Sequence, residues 1–388
     1  MSRTSLAMPH HVPSTPLAKY THPPETGEHL SYADLITLDL AEYDKPGGKE
    51  KLASQLGQTV HTTGSHLPPS GRGGIPDIAL KGFFYITNIG LTQAQIDEQF
   101  AIAKSFFALP TPEKLRFRAP LEDGNYNGYR PLGAVEVLPG LRDNLEFYSV
   151  FKFTPRTQRS AQPQVIREHA SEIELFQRHM HENVTRKLLA LIALALQLPA
   201  DELVKGHRYD ANCDSSLRYM MYRARSEADN KKYKDLYLRG HSDNGTLTYV
   251  FQQPVAALQV RRGPDSGWEY LRVPEGKVAV NVADILEFLS NGYMKSGIHR
   301  VVAPPADQAC VDRLGVLYFV RPSDDLPLKT LDSPFLRSVG HGKKTGESGD
   351  LDISASEWVR SRVKKNWKGA VTEGVDTREG FLTKVFYA

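Results

Sequence analysis

Cysteine is scarce in this chain of 388 residues, which carries only Cys213 and Cys310. The two form no C-x-x-C pair and are too few for a disulfide framework, which excludes zinc-finger chemistry and leads us to expect a reducing compartment, the cytoplasm. Long apolar runs are missing as well. The longest, Leu188 to Leu196, falls well short of the roughly 20 residues a membrane span needs, and Met1 to Pro16 holds no apolar stretch of the kind a secretory leader carries. Nor is there an excess of one charge: Lys+Arg 48 against Asp+Glu 45 gives +3. Binding to nucleic acid or anionic lipid is driven by clustered Lys and Arg, so neither is an expected partner. What remains is an ordinary globular balance, 40% hydrophobic and 24% charged, enough for one large core.

The first thirty residues are rich in Pro, His, Ser and Thr without periodicity. They cannot bury enough apolar surface to offset ordering entropy, and read as a mobile arm over 1–30. Tyr32 to Leu40 reads as a short strand and Lys49 to Val60 as a helix, followed by a Gly- and Pro-rich loop from His61 to Pro76. The run Gly82-Phe83-Phe84-Tyr85-Ile86-Thr87-Asn88 predicts a strand ended by Gly90, and Thr92 to Leu109 an amphipathic helix stopped by Pro110. A long helical stripe runs from about Val165 to Leu198 through Ile166, Ile173, Phe176, Met180, Val184, Leu188, Leu191 and Ala195, and should pack on a sheet. Beyond Ser216 the pattern becomes short β-type runs: Leu217 to Tyr222, Thr246 to Phe251, Ala257 to Val260, Lys277 to Val282, Arg300 to Ala303 and Leu314 to Val320. Closely spaced strands with turn signals argue for a sandwich or barrel. Gly340 to Asp350 reads as a loop, and Ser354 with Glu357 as the capping box of a last helix to Trp367.

Within the β-rich half lies Gly240-His241-Ser242-Asp243-Asn244-Gly245. In extended chain, residues two apart point the same way, so His241 and Asp243 can converge on one point, and His299 at the mouth of another strand can supply a third ligand. Two imidazoles and one carboxylate, with positions left open, form the facial triad that suits Fe(II) for oxygen chemistry. The same three groups can also hold zinc, as in a hydrolase, although no general-base Glu stands near His241 as in H-E-x-x-H sites. Taken alone, His-x-Asp is weak evidence and more often a surface turn, since His and Asp are common turn residues. The other histidines carry no such pattern. His179 and His181 are two apart on a helix and face nearly opposite ways, so they and His169 read as solvated or capping residues. His10, His11, His22 and His29 read as polar residues of the arm.

The surrounding frame is more specific: Asn281-Val282-Ala283-Asp284, Leu289-Ser290-Asn291-Gly292, Lys295-Ser296 leading into His299-Arg300-Val301, and Arg313 opening a strand. With Gly82-Phe83-Phe84, Asn88, Gly90, Phe106-Phe107-Ala108-Leu109-Pro110, Glu113-Lys114 and Gly128-Tyr129, this chain resembles the iron(II)/2-oxoglutarate-dependent oxygenases of the isopenicillin N synthase-like group, from about Leu35 to Pro322. The resemblance implies an α+β fold with a mainly β core, a double-stranded β-helix (jelly roll) flanked by helices. It divides the chain into the arm 1–30, an N-terminal oxygenase region 31–160, a catalytic barrel with its preceding long helix 161–335, and a C-terminal loop and helix 336–388. It implies that His241, Asp243 and His299 bind Fe(II), and that Arg313, with Tyr222, binds the distal carboxylate of 2-oxoglutarate. Arg218 falls near the pocket entrance and Phe147 and Phe319 at pocket-facing positions, candidates for substrate binding. The implied reaction couples O2-dependent decarboxylation of 2-oxoglutarate to hydroxylation, desaturation or ring closure of a small organic molecule, in specialised metabolism.

Departures from the family pattern are Gly315, where relatives carry a serine that touches 2-oxoglutarate, Met220 where Asn is frequent, Ile89 in place of His, and Ala283 in place of Gly. Gly315 leaves room but donates no hydroxyl. It keeps open an oxidase that draws its electrons from the substrate without 2-oxoglutarate. A non-catalytic binding barrel is the alternative of another class.

Overall fold

Alternating apolar residues build two facing sheets. The structure, a computed structural model, describes residues 17–60, 82–157, 160–263, 266–342 and 353–367, with two short strands at Thr372–Glu373 and Val385–Phe386. The strands before these are β1 (Thr37–Asp39), β2 (Phe83–Thr87), β3 (Gly128–Arg130), β4 (Glu136–Leu138), β5 (Leu141–Arg142), β6 (Leu145–Phe151), β7 (Ser216–Tyr222), β8 (Leu236–His241), β9 (Leu247–Val250), β10 (Leu258–Arg261), β11 (Glu269–Tyr270), β12 (Val278–Val282), β13 (Ile298–Val302) and β14 (Arg313–Val320). The larger sheet runs β1-β2-β12-β9-β14-β7-β6-β3 and is antiparallel except at β1-β2; the smaller runs β11-β10-β13-β8. The strands β4 and β5 form a separate hairpin.

Period-two alternation sorts the larger sheet into two faces. Leu314, Val316, Tyr318 and Val320, with Leu217, Tyr219 and Met221, pack outward under helices that bury Phe100, Ile173, Phe176, Val184, Leu188 and Leu191. Met220, Tyr222, Phe147 and Val250 point inward against Leu258, Val260 and Val301 of the smaller sheet. The barrel is thus the expected jelly roll flanked by helices, and its N-terminal strands are continuous with it. Family-like motifs far apart in sequence meet here: Lys114 and Tyr129 each lie 2.7 Å from Glu146 Oε2, and Arg223 lies 2.7 Å from Oε1. Burial pushes the Glu146 carboxyl up, but these donors outweigh it and hold the group below its ordinary range.

Several expectations are corrected. The long helix is broken: Ala170–His179 passes through a π turn, Met180–Thr185, into Arg186–Ala195. His181 is not solvated but buried, accepting from the Tyr318 hydroxyl at 2.9 Å and donating to the His207 carbonyl at 2.7 Å. In the N-terminal segment, Tyr20 stacks on Phe100 at 5.2 Å and His22 lies 2.9 Å from Asp97, so residues 17–30 include chain held against the body. The strands β6 and β8 were not anticipated. His10, His11, the loop from His61 to Pro76 and residues 343–350 lie outside the described residues.

The buried histidine pair gives a pH prediction. Burial, with the nearby Lys152 charge, pushes His181 down to about 3, and burial pushes His207 down to about 4, against an ordinary 6.5. Both rings stay neutral in the folded protein but take up a proton when unfolded below 6.5, so stability is full above that value and is lost as pH falls toward 4. Urea unfolding at about pH 5 is expected to show a loss of roughly 2 kcal/mol per ring relative to about pH 7.5. His207→Gln should remove one proton from that slope.

Candidate metal centre and its cavity

His241 closes β8 and His299 stands directly opposite it in β13, which puts the two imidazoles 4.3 Å apart between ring centroids. Asp243 follows in the turn to β9. Two close approaches fix these segments. A Cβ on Gly245 would lie 2.4 Å from the Val320 carbonyl oxygen, and a Cβ on Gly297 would lie 2.4 Å from the Phe83 ring, so only glycine lets the chain pass. The turn is also held by the start of the helix Asp284–Leu289, whose Asp284 and Ile285 amides donate to the Asp243 and Gly245 carbonyls, each at 2.9 Å.

The ligand atoms of His241, Asp243 and His299 lie within 4.8 Å of one another. Asp243 Oδ1 is 3.9 Å from His241 Nε2 and 3.8 Å from His299 Nε2. Each group is anchored from behind. His241 Nδ1 lies 2.8 Å from the Arg239 carbonyl, His299 Nδ1 lies 3.1 Å from the Gly297 carbonyl, and Asn281 donates to Asp243 Oδ2 at 3.0 Å. Protonation of Nδ1 puts both Nε2 lone pairs on the inner side, the tautomer a metal requires. Two imidazoles and a carboxylate on a buried, one-sided triad fit Fe(II) with open positions.

The triad lines a cavity of about 190 Å³ together with Arg313, Tyr222, Arg218, Phe147 and Phe319, so every candidate site residue reaches one space. Arg313 is 6% exposed, lies 5.3 Å over the Tyr222 ring, and has no hydrogen-bond or ion-pair partner among the described residues. Burial pushes the Tyr222 phenol up to about 12, offset in part by Arg313, so it stays a donor. Arg218 is not near the entrance but buried, with its guanidinium over Phe147 and Phe319. Met220 sits between Arg218 and Tyr222 on the same face, and Ile89 packs against the helical core.

Three residues were missed. Asn281, in the motif that precedes the helix Asp284–Leu289, holds the Asp243 carboxylate. Arg321 continues the alternation of Arg313, Gly315, Leu317 and Phe319 one step past β14, a signal that was present. Gln253 had no local signal: it arrives from the segment after β9, and its Nε2 lies 3.3 Å from where a Cβ on Gly315 would be.

The sequence model of the 2OG-Fe(II) oxygenase superfamily matches residues 211–322, and that of the non-haem dioxygenase in morphine synthesis N-terminal region matches 80–170. A 2-oxoglutarate-dependent dioxygenase of Glarea lozoyensis is 30% identical over 309 residues, 72% of this chain and 89% of that one. The chain belongs to the 2OG-Fe(II) oxygenases. Another relative, a 2-oxoglutarate-dependent dioxygenase of Aspergillus rugulosus, is 29% identical across 70% of this oxygenase and 86% of its own length. Among solved structures, a full-length Neurospora crassa protein in complex with alpha-KG superposes with a TM-score of 0.69 at 21% identity, covering 85% of this chain and 96% of that one. A 2OG-Fe(II) oxygenase family protein from Caulobacter crescentus gives 0.65 at 25% identity, with 84% and 96% covered. The oxygenase is therefore an oxidoreductase that uses Fe(II), 2-oxoglutarate and O2 on a small molecule, and the zinc-hydrolase and binding-barrel alternatives fall away. Among the described residues no helix is long and apolar enough to cross a membrane.

Proposed function

We propose that His241, Asp243 and His299 hold the iron, that Arg313 and Tyr222 receive the distal carboxylate of 2-oxoglutarate, and that Phe147, Phe319 and Arg218 receive the substrate. The observation that carries this reading is the convergence of the three ligand atoms within 4.8 Å, with each outer atom already anchored. When bound, Fe(II) with 2-oxoglutarate and O2 supplies decarboxylation to succinate and CO2, coupled to oxidation of a substrate C–H bond. The chain's own part is positional. The Arg239 and Gly297 carbonyls fix the imidazole tautomers, and Asn281 fixes the carboxylate. The planar Arg313 fork, with Tyr222 beside it, offers in-plane donors to a carboxylate. This unpaired pair favours 2-oxoglutarate over an oxidase that dispenses with it. Kinship with fungal 2-oxoglutarate-dependent dioxygenases supports a place in specialised metabolism, and the free Cys213 and Cys310 support the cytoplasm. Purified protein given Fe(II), 2-oxoglutarate and O2 should form succinate; none above the metal-free background would contradict the reading.

Gln253 takes the place of the missing serine in this account. Its Nε2 donates weakly to the Leu314 carbonyl at 3.4 Å, and its buried Oε1 has no partner. Gln253→Ala is expected to raise the half-saturating 2-oxoglutarate concentration roughly fivefold, the worth of about 1 kcal/mol of hydrogen bonding. A change below about twofold in a succinate assay would remove Gln253 from that role.

A further inference from the structure

The cavity has two arginine poles, and the co-substrate accounts for only one of them. Arg218 and Tyr222 are on the same strand, four positions apart, which at about 3.3 Å per residue separates their backbone positions by roughly 13 Å. Arg218 is 7% exposed, and its one hydrogen bond among the described residues is from Nε to the Ser149 hydroxyl at 2.9 Å. One terminal nitrogen is buried with no partner, and among the described residues no carboxylate lies within ion-pair distance of it. The guanidinium is instead surrounded by rings, 4.2 Å from the Phe147 centroid, 4.3 Å from Phe319 and 4.9 Å from Tyr126. Ring faces cover the plane of an arginine and leave its edge, where the N–H groups point, for a ligand.

Arg321 adds to this pole. It is 6% exposed, lines the same cavity, and has a buried Nε without a partner. Its nearest acid, Asp214 at 3.7 Å, is shared with Arg156 at 2.6 Å and Arg360 at 3.7 Å. Asp324 also pairs with Arg156, but among the described residues the guanidinium groups Arg218, Arg321, Arg156 and Arg360 still outnumber the carboxylates Asp214 and Asp324 at this end. Burial and the neighbouring Arg321 charge push Arg218 down to about 10, which still leaves it a cation at neutral pH. An uncompensated buried cation is costly unless a ligand completes it.

We propose that Arg218, backed by Arg321, binds a carboxylate on the substrate, so that the oxygenase acts on small organic acids whose apolar body lies against Phe147, Phe319 and Tyr126. This rests on the assignment of the cavity as the substrate site. It adds the substrate class, which kinship does not give.

The test uses matched pairs of carboxylic acids and their primary amides, aliphatic and aromatic, from butyrate to dodecanoate and including 3-phenylpropionate. Each is titrated calorimetrically into the anaerobic Fe(II) protein with and without 2-oxoglutarate. The expected result is at least one pair in which the acid binds about tenfold or more tightly than the amide. Arg218→Met should collapse that ratio to near unity and Arg218→Lys should restore part of it, with thermal melts confirming that both variants fold. Amides binding as well as acids throughout, or a preference that survives in Arg218→Met, would overturn the proposal. Titration without 2-oxoglutarate keeps this outcome separate: a protein that prefers acids but forms no 2-oxoglutarate chelate would contradict the proposed function and leave the acid pole standing.

Discussion

Asp243→Ala is expected to abolish O2-dependent succinate formation and to lower iron affinity by more than about 100-fold, since even the outer partners of metal ligands are worth 10- to 100-fold. The substitution leaves two imidazoles facing an incomplete site and leaves the Asn281 amide without its carboxylate acceptor. Asn281→Leu separates the two effects. It keeps all three ligands but frees the carboxylate to rotate, and should weaken iron binding by roughly 10- to 100-fold while some succinate still forms. Equilibrium dialysis of Fe(II) under anaerobic conditions measures both variants. An Asp243→Ala protein that keeps wild-type iron affinity would remove this residue from the metal centre.

Arg313→Met should raise the dissociation constant for 2-oxoglutarate by about 100-fold or more, because a charge-assisted, bidentate contact to a carboxylate is worth roughly 3 kcal/mol when truncated. The same variant is expected to unfold at a temperature equal to or above that of the wild type. Arg313 is buried, burial pushes its basicity down, and no acid among the described residues compensates it. Replacing an unpaired buried cation with an apolar chain of similar length removes that cost. Opposite signs on binding and stability are what a functional arginine predicts; a structural arginine would lose both. Binding is read by titrating the chelate, stability by thermal melting.

The residues of the candidate metal centre were legible because the chemistry is local: His241 and Asp243 are two apart, and His299 lies in a motif with Arg300 and Val301. The barrel was legible from short β runs such as Leu217 to Tyr222 and Leu314 to Val320, whose alternation survives in β7 and β14. The strand β6 was missed because Glu146 interrupts its apolar pattern. That carboxylate is buried among Lys114, Tyr129 and Arg223, donors that come from distant segments and leave no mark on the local sequence. The same applies to His181, whose burial is decided by Tyr318 and the His207 carbonyl, and to β8, a short run that ends in the Gly240-His241 pair. Arg218 shows the limit most clearly. An arginine on a strand is ordinarily solvated or paired, and only the assembled barrel shows that no acid among the described residues pairs with this one.

The most direct test of the central claim is an anaerobic titration of the Fe(II) protein with 2-oxoglutarate, followed by its visible charge-transfer band. Saturable appearance of the band in the wild type, with its loss in His241→Ala and a large shift to higher concentrations in Arg313→Met, is the predicted result. Iron binding without any band at high 2-oxoglutarate would contradict it.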